Sequence, residues 1–465
     1  MGGCLRRRAG GASMGDQAVQ GSGEELFVAA RHPYIGREEI GSRADCEAAV
    51  EELNQGRDNS RGEAVLATYY FVTPTGATPL SGLVDATRMA LEHGTLKPWH
   101  DETGDSIVKP PGYDDNMSWA HDLRLLGYNG ARGLAAGLVT IAYPLTFFDK
   151  RDDTVALAQL FEAVASEPVS AFTSLRAARL VDLQFPVSLR ARFAGQRWPN
   201  RRVRAYLGLA LDEPLIGTIV KPKTGLTPEL FARAVVEAAQ AGAHFTKADE
   251  NMHLRLDEVP RYVGAVVEGL TAAGFDLGRG MTPSGRRFLF APHITTDPDR
   301  IRDYAAAAVG AGANALMFTP FYAGGHLVLS EIAREHDVPV YAHTAGMNMV
   351  TGSPHWGIDP RVFYVLGGLC GAAFMQLPTT GGYIRPFDDE KPPILEALQR
   401  EKLEGEDGMT LAIAGGLGPG NIATNVKAYG SRGRMFLAGT SVYAHPEGPR
   451  AGVRALVDAY RAADS

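Results

Sequence analysis

Residues 217–223 read GTIVKPK, residues 227–242 read TPELFARAVVEAAQAG, and residues 243–250 read AHFTKADE. The first and third are short apolar runs of strand length that end in charged residues. The middle stretch has an apolar stripe at helical spacing. Thr227 is suited to cap its start, Pro228 to a first turn that needs no N–H partner, and Gly242 to its exit. The same alternation continues through apolar runs at 288–293, 313–319, 338–343, 372–377, 410–414 and 434–439. Strand and helix alternating about eight times over roughly 250 residues predict an α/β fold of the (β/α)8 TIM-barrel type. An open doubly wound sheet is the competing architecture, but no GxGxxG follows an early strand. The barrel is preferred.

Before residue 200 the texture is mixed. Strand-like runs stand at 64–72 (AVLATYYFV) and 137–143 (GLVTIAY), and helical periods at 79–91 and 154–166. These predict a smaller α+β N-terminal domain over residues 24–199 and a barrel over 200–465. The stretch 194–204 (AGQRWPNRRVR), polar, basic and broken by Gly and Pro, reads as a linker. Residues 1–23 are rich in Gly and Arg and have no apolar h-region, so a disordered extension is expected rather than a secretory signal, with Met14 an alternative start.

Composition narrows the function. A chain of 465 residues suits two domains, and 45% hydrophobic with 21% charged residues is ordinary for a globular protein. A net charge of -7 and a pI near 6.0 argue against nonspecific nucleic-acid binding, while a local cationic pocket for a small anion stays compatible. Cys4, Cys46 and Cys370 form no CxxC pair, so neither a disulfide framework nor a zinc site is expected, and the cytoplasm is the expected compartment. No apolar run reaches the ~18 residues of a membrane span.

Barrel chemistry sits at the C-terminal ends of the strands. The first strand ends in Lys221 and Lys223, which share a face if the segment is extended. Crowding one ammonium with another favours the neutral amine that proton transfer needs; a solvated basic loop is the plainer alternative. The second strand ends in Lys247, Asp249 and Glu250. Two carboxylates at a strand mouth suit a hard cation such as Mg2+. Lys247 fits among metal ligands only if carbon dioxide converts it to a carbamate; otherwise it pairs with Asp249. His343 and His293 end later strands, as proton shuttles or as structural residues. Gly415, Gly416 and Gly439 lie in the last two turns, where glycines either bind a phosphate through backbone N–H groups or simply allow a tight turn.

Taken together, 217–226 (GTIVKPKTGL) with 242–251 (GAHFTKADEN), a helix apart, resemble the RuBisCO large subunit and the RuBisCO-like proteins. Similarity extends to 142–148 (AYPLTFF), 175–186 (LRAARLVDLQFP) and the two glycine turns, roughly residues 64 to 445. The resemblance implies that Lys247 is carbamylated and completes a Mg2+ site with Asp249 and Glu250. It implies that Lys221 handles the enolisation proton beside Lys223, and that His343 belongs to the site. Glu92 resembles a glutamate that reaches the partner's site in a homodimer.

Departures matter for the reaction. The loop after the sixth strand, 377–387 (LPTTGGYIRPF), lacks the mobile lysine of a carboxylase. Thr344 and Met347 stand in place of an arginine and a histidine, Pro168 in place of an asparagine, and Leu437 and Ala438 in place of two glycines. Arg385 either replaces a lost cation or is a surface residue. The expected activity is therefore Mg2+-dependent enediolate formation from a sugar-derived ketose or keto acid, with or without one phosphate, as isomerisation, tautomerisation or decarboxylation. An authentic carboxylase and a catalytically retired binding protein are the alternatives.

Overall fold

The computed structural model describes residues 33–57, 62–94, 99–100, 103, 107–149, 151, 154–278, 280, 285–322 and 324–464; the expected extension 1–23 lies outside them. The first layer is a sheet built on β1 (Ala64–Pro74), β2 (Trp119–Asn129), β3 (Leu134–Pro144) and β4 (Ala177–Gln184). β1 lies between β3 and β4, antiparallel to both, and β2 pairs with the far side of β3. Alternation along β1 sends Val65, Ala67, Tyr69 and Phe71 into one core and Tyr70 and Val72 into another. Helix α1 (Pro79–Gly94) covers the first of these faces, with Leu83 and Ala86 buried.

The second layer is the barrel. Its strands are β5 (Ile216–Ile219), β6 (Phe245–Lys247), β7 (Leu289–Ala291), β8 (Leu316–Phe318), β9 (Val340–Ala342), β10 (Phe374–Pro378), β11 (Thr410–Ala414) and β12 (Arg434–Ala438). All neighbours are parallel, in the order β7-β6-β5-β12-β11-β10-β9-β8. The ring closes at a parallel bridge between His293 and Met317, where Ile294 N donates to Met317 O at 2.9 Å. The predicted helix forms as α3 (Pro228–Gln240), following α2 (Asn200–Leu207); Thr227 accepts from Leu230 N, and Gly242 has φ +110°.

The barrel is filled by Phe245, Leu289, Met317, Tyr341, Phe374, Ala412, Met435 and Leu437. Gly217 faces these side chains: a Cβ there would lie 2.7 Å from Leu437 Cδ1 and 3.2 Å from Phe245 Cδ1. The space that glycine leaves is what lets the large interior residues meet.

The stretch 194–204 is not a free linker. Its second half opens helix α2 (Asn200–Leu207), and Trp198, Val203, Tyr206 and Leu207 pack into the barrel's interior cluster. Arg202 lies 4.0 Å over the Trp198 ring and pairs with Asp337 at 3.1 Å. Arg204, 1% exposed, donates to Ala210 O at 2.9 Å and Glu213 O at 2.6 Å. Basic residues that read as solvated in sequence are here consumed as caps on the barrel floor, each satisfied by carbonyls or carboxylates.

The two layers are laced together. The strand Trp356–Ile358, between β9 and β10 in sequence, leaves the barrel and pairs with β4 in the first sheet. Arg179 of β4 is fully buried and clamps this crossing, donating to Tyr34 Oη at 2.8 Å, Thr351 O at 3.1 Å and Ser353 O. Asp359, which caps α4 (Pro360–Leu369), lies 3.7 Å from Arg179 and accepts from Tyr34 and from Arg361. Arg179→Met leaves Thr351 O and Ser353 O without this donor and removes a buried cation from beside Asp359. A loss of about 3–5 kcal/mol is expected, read as a lower urea midpoint with hydrogen exchange rising first at residues 356–358; an unchanged midpoint would show the clamp to be dispensable.

Candidate active site

Interior alternation along β6 brings Phe245 and then Lys247 into the barrel axis, and the chain continues into Asp249 and Glu250 at the mouth. Lys247 is fully buried. Its Nζ lies 3.3 Å from Glu250 Oε2, 3.3 Å from Ala248 O and 5.6 Å above the Tyr341 ring. Burial disfavours its charge and lowers its pKa, against the opposing pull of Glu250 and Asp249. Tyr341 itself stacks between Phe245 (6.0 Å) and His343 (6.1 Å), and its hydroxyl donates to Gln376 Oε1 at 3.3 Å. This aromatic floor is a feature that sequence reasoning missed; the one signal for it was the aromatic at the centre of VYAH.

Asp249 is 1% exposed and accepts from Lys221 Nζ and from Asn251 N at 2.9 Å. Burial opposes its charge, but these donors outweigh burial and hold its pKa below the usual range. For Glu250, burial is likewise outweighed by Lys247, which keeps the carboxyl well below its ordinary value. The site therefore holds two ionised carboxylates, each paired with a lysine.

His343 joins the cluster with Nε2 at 3.4 Å from Glu250 Oε2. Its Nδ1 accepts from Ala345 N at 3.1 Å, which assigns the ring proton to Nε2. Burial, with Lys247 nearby, lowers its pKa to about 3, so it serves as a neutral donor. His293 is also neutral, its pKa lowered to about 4 chiefly by burial. It engages Met252 O through Nδ1 at 3.0 Å, and its buried Nε2 has no hydrogen-bond partner among the described residues.

The other expected residues divide. Lys223 does not share the face of Lys221: β5 ends at Ile219, the chain bends at 221–225, and Lys223 projects into solvent while Lys221 reaches Asp249. Glu92 lies on α1, but its side chain is outside the described residues. Gly415 (φ +91°) and Gly416 (φ +83°) form the turn after β11, and Gly439 follows β12. Gly439 lies beside Lys221: a Cβ there would be in ordinary contact with Ile219 Cβ and Lys221 Cε, both at 3.5 Å. Arg385 is half-exposed and is not a free cation: it donates to Gly352 O at 3.0 Å and lies 3.6 Å from Glu390. A concavity of about 800 Å³ lies elsewhere, beside Thr68, Asp182 and Arg361; chemistry singles out the barrel mouth.

Among the described residues no group of three His, Cys, Asp or Glu side chains could hold a metal ion. Asp249 and Glu250 alone offer two anionic ligands. A third is at hand in Lys247, whose buried amine, shifted toward its neutral form, is suited to take up carbon dioxide. The donor set fits Mg2+ on that condition.

Parallel barrel, lysine-carboxylate cluster and sequence agree on one class. Residues 202–465 match the family model for the ribulose bisphosphate carboxylase large chain, catalytic domain, and the chain belongs to that family. Among its relatives, a ribulose bisphosphate carboxylase-like protein of Archaeoglobus fulgidus is 27% identical over 90% of this chain and 91% of its own. A ribulose bisphosphate carboxylase of Methanocaldococcus jannaschii is 26% identical over 70% and 76%. The rubisco-like protein of Alicyclobacillus acidocaldarius superposes with a TM-score of 0.70 at 25% identity, covering 86% of this chain and 94% of that one. The octameric RuBisCO of Pyrococcus horikoshii gives 0.70 at 22%, covering 86% and 88%. Carboxylases and carboxylase-like proteins thus stand at similar distance. Among the described residues no helix is long and apolar enough to cross a membrane.

Proposed function

We propose that this protein is a Mg2+-dependent enzyme that forms an enediolate from a sugar-derived ketose or keto acid, and that it isomerises, tautomerises or decarboxylates its substrate without fixing carbon dioxide. The observation that carries the reading is the double pairing of Lys221 with Asp249 and Lys247 with Glu250 at one barrel mouth. Bound to Asp249, Glu250 and carbamylated Lys247, Mg2+ would supply the positive charge that stabilises negative charge developing on the substrate oxygens. Lys221, part-exposed and no longer held by Asp249, takes the proton from the carbon beside the carbonyl and returns it to the neighbouring carbon, while the hydroxyl proton passes to the former carbonyl oxygen. In the decarboxylating variant the carbon–carbon bond breaks, carbon dioxide leaves, and Lys221 delivers the proton to the carbon left behind. His343 donates from Nε2 and holds Glu250 in place. The loop at 377–387 carries no lysine to meet a gaseous substrate, which supports the non-carboxylating side of the family.

We further propose a cytoplasmic homodimer in which Glu92 of one copy reaches the barrel mouth of the other, with the N-terminal domain ending near residue 199. The described cysteines, Cys46 and Cys370, are free and buried. The decisive assay is proton NMR in D2O with Mg2+ and bicarbonate, over ketose phosphates, branched sugar acids and β-keto sugar acids. Deuterium entering beside a carbonyl, or release of carbon dioxide, is expected, and is expected to stop with EDTA and resume with Mg2+. Incorporation of labelled carbon dioxide into ribulose bisphosphate would instead establish a carboxylase.

A further inference from the structure

One buried polar atom at the barrel mouth has no partner among the described residues: Nε2 of His293. Its position follows from alternation. Leu289 and Ala291 of β7 face the barrel interior, Ala291 opposite Lys247. The bridge to Met317, itself an interior residue, carries the alternation on to His293. The imidazole therefore enters the axis one step nearer the mouth than Lys247. Lys247 and Glu250 both lie close enough to act on its charge, and it acts in turn on that of His343.

The other ring nitrogen fixes the tautomer. Nδ1 meets Met252 O at 3.0 Å, and a carbonyl only accepts, so Nδ1 carries the proton and Nε2 a bare lone pair. Leaving a buried acceptor unsatisfied costs about 1–3 kcal/mol, and the donors of the cluster are engaged elsewhere. Lys247 Nζ turns to Glu250 and Ala248 O, and His343 Nε2 turns to Glu250. The atom is thus suited to a donor brought from outside: a water in the resting protein and, in its place, a hydroxyl of a bound molecule. The ring beside it is easily shifted. His253, exposed on the loop after β6, packs 5.4 Å from His293 and makes no hydrogen bond among the described residues, so it gives way without breaking one.

We propose that His293 Nε2 accepts a hydrogen bond from a substrate hydroxyl beside the carbonyl, and so selects substrates in which that hydroxyl is free. A lone pair attracts a donor and repels another lone pair. A second ketone oxygen, a methyl ether or a phosphate ester at that carbon brings no proton, and both atoms would be left desolvated and unpaired. The substrate class narrows to α-hydroxy ketones, and the corresponding keto acids, whose hydroxyl beside the carbonyl is unesterified. His343 is the complement: its Nε2 carries a proton, so one imidazole presents a donor and the other an acceptor. The word substrate rests on the enolising reading; the lone pair and its preference for a hydroxyl do not.

The test keeps the two apart. Its probes are hydroxyacetone and methoxyacetone, the second bearing a methyl group in place of the hydroxyl proton. Full-length protein labelled with 15N-histidine is followed by NMR with Mg2+ and bicarbonate present, and His293→Asn assigns the signal. Wild type is expected to show Nδ1 protonated and Nε2 bare, and hydroxyacetone, but not methoxyacetone, is expected to shift Nε2 saturably. A protonated Nε2, or the same response to both probes, would overturn the proposal. In parallel, deuterium exchange compares His293→Asn, which keeps a donor for Met252 O but drops the distal acceptor, with His293→Gln, which restores an acceptor at that reach. The KM of the best hydroxy ketone is expected to rise at least about tenfold in His293→Asn, equivalent to ~1.4 kcal/mol, and to recover in His293→Gln. An unchanged KM in His293→Asn, or losses of one size in both variants, also overturns the proposal. No exchange with any compound defeats the enolising reading, while the nitrogen signal still decides the preference for a hydroxyl.

Discussion

Replacing Lys247 with methionine is expected to lower Mg2+-dependent turnover by about 10³-fold or more while leaving thermal stability unchanged or higher. The two halves of this result have separate causes. Lys247 is fully buried above the Tyr341 ring, and burial is the main force against its charge. Methionine fills a similar volume without that desolvation penalty, which offsets the loss of the pairing with Glu250. Glu250, whose side chain is 27% exposed, can take water in place of the lost ammonium. The catalytic loss follows from removing the third anionic ligand, since metal stabilisation of the transition state is worth several kcal/mol, at about 1.4 kcal/mol per tenfold. Turnover with the wild-type substrate and calorimetry of the same samples measure both halves. A variant within about tenfold of wild type would sink the carbamate role, and a carbamate signal from 13C-labelled bicarbonate in wild type alone would support it.

Lys221→Met is expected to have the second largest effect, slowing deuterium exchange beside the substrate carbonyl by about 10²–10⁴-fold, the usual span for a general acid-base group. The ammonium is placed for that work by two features: contact with Asp249 and partial exposure at the mouth. Mg2+ affinity is expected to hold or rise, because Asp249 loses its competing cation. Calorimetric titration of Mg2+ with bicarbonate therefore separates a proton-transfer role from damage to the metal site. Exchange at the wild-type rate would move the base elsewhere, and a simultaneous collapse of Mg2+ binding would make Lys221 an organiser of the carboxylates.

The barrel was legible because each repeat carries its own local signals. Thr227, Pro228 and Gly242 mark one helix almost to the residue, and β11 and β12 begin where the apolar runs begin. Lys247, Asp249 and Glu250 were legible because alternation along a strand fixes which side chains face inward. Lys223 was misjudged for the same reason, since alternation stops where β5 gives way to a bend. The 194–204 stretch was misjudged because polarity alone cannot show that Arg202 stacks on Trp198 or that Arg204 meets two carbonyls. Nor could spacing reveal that residues 356–358 would cross to another sheet, or that His293 would pair with Met252 O. Those contacts join parts of the chain far apart in sequence, where no local pattern reports them.

The crossing strand also sets an order of events during synthesis. β4 pairs with β1 on one side, but its other edge waits for residues 356–358, which are made 356 − 178 = 178 residues after Ala178. At ordinary ribosomal speed the gap lasts roughly 10–35 s. Throughout that interval the nascent sheet exposes a row of unpaired N–H and C=O groups carried by an apolar strand, a template for pairing with another chain. A fragment cut at residue 199 would keep that edge open for good.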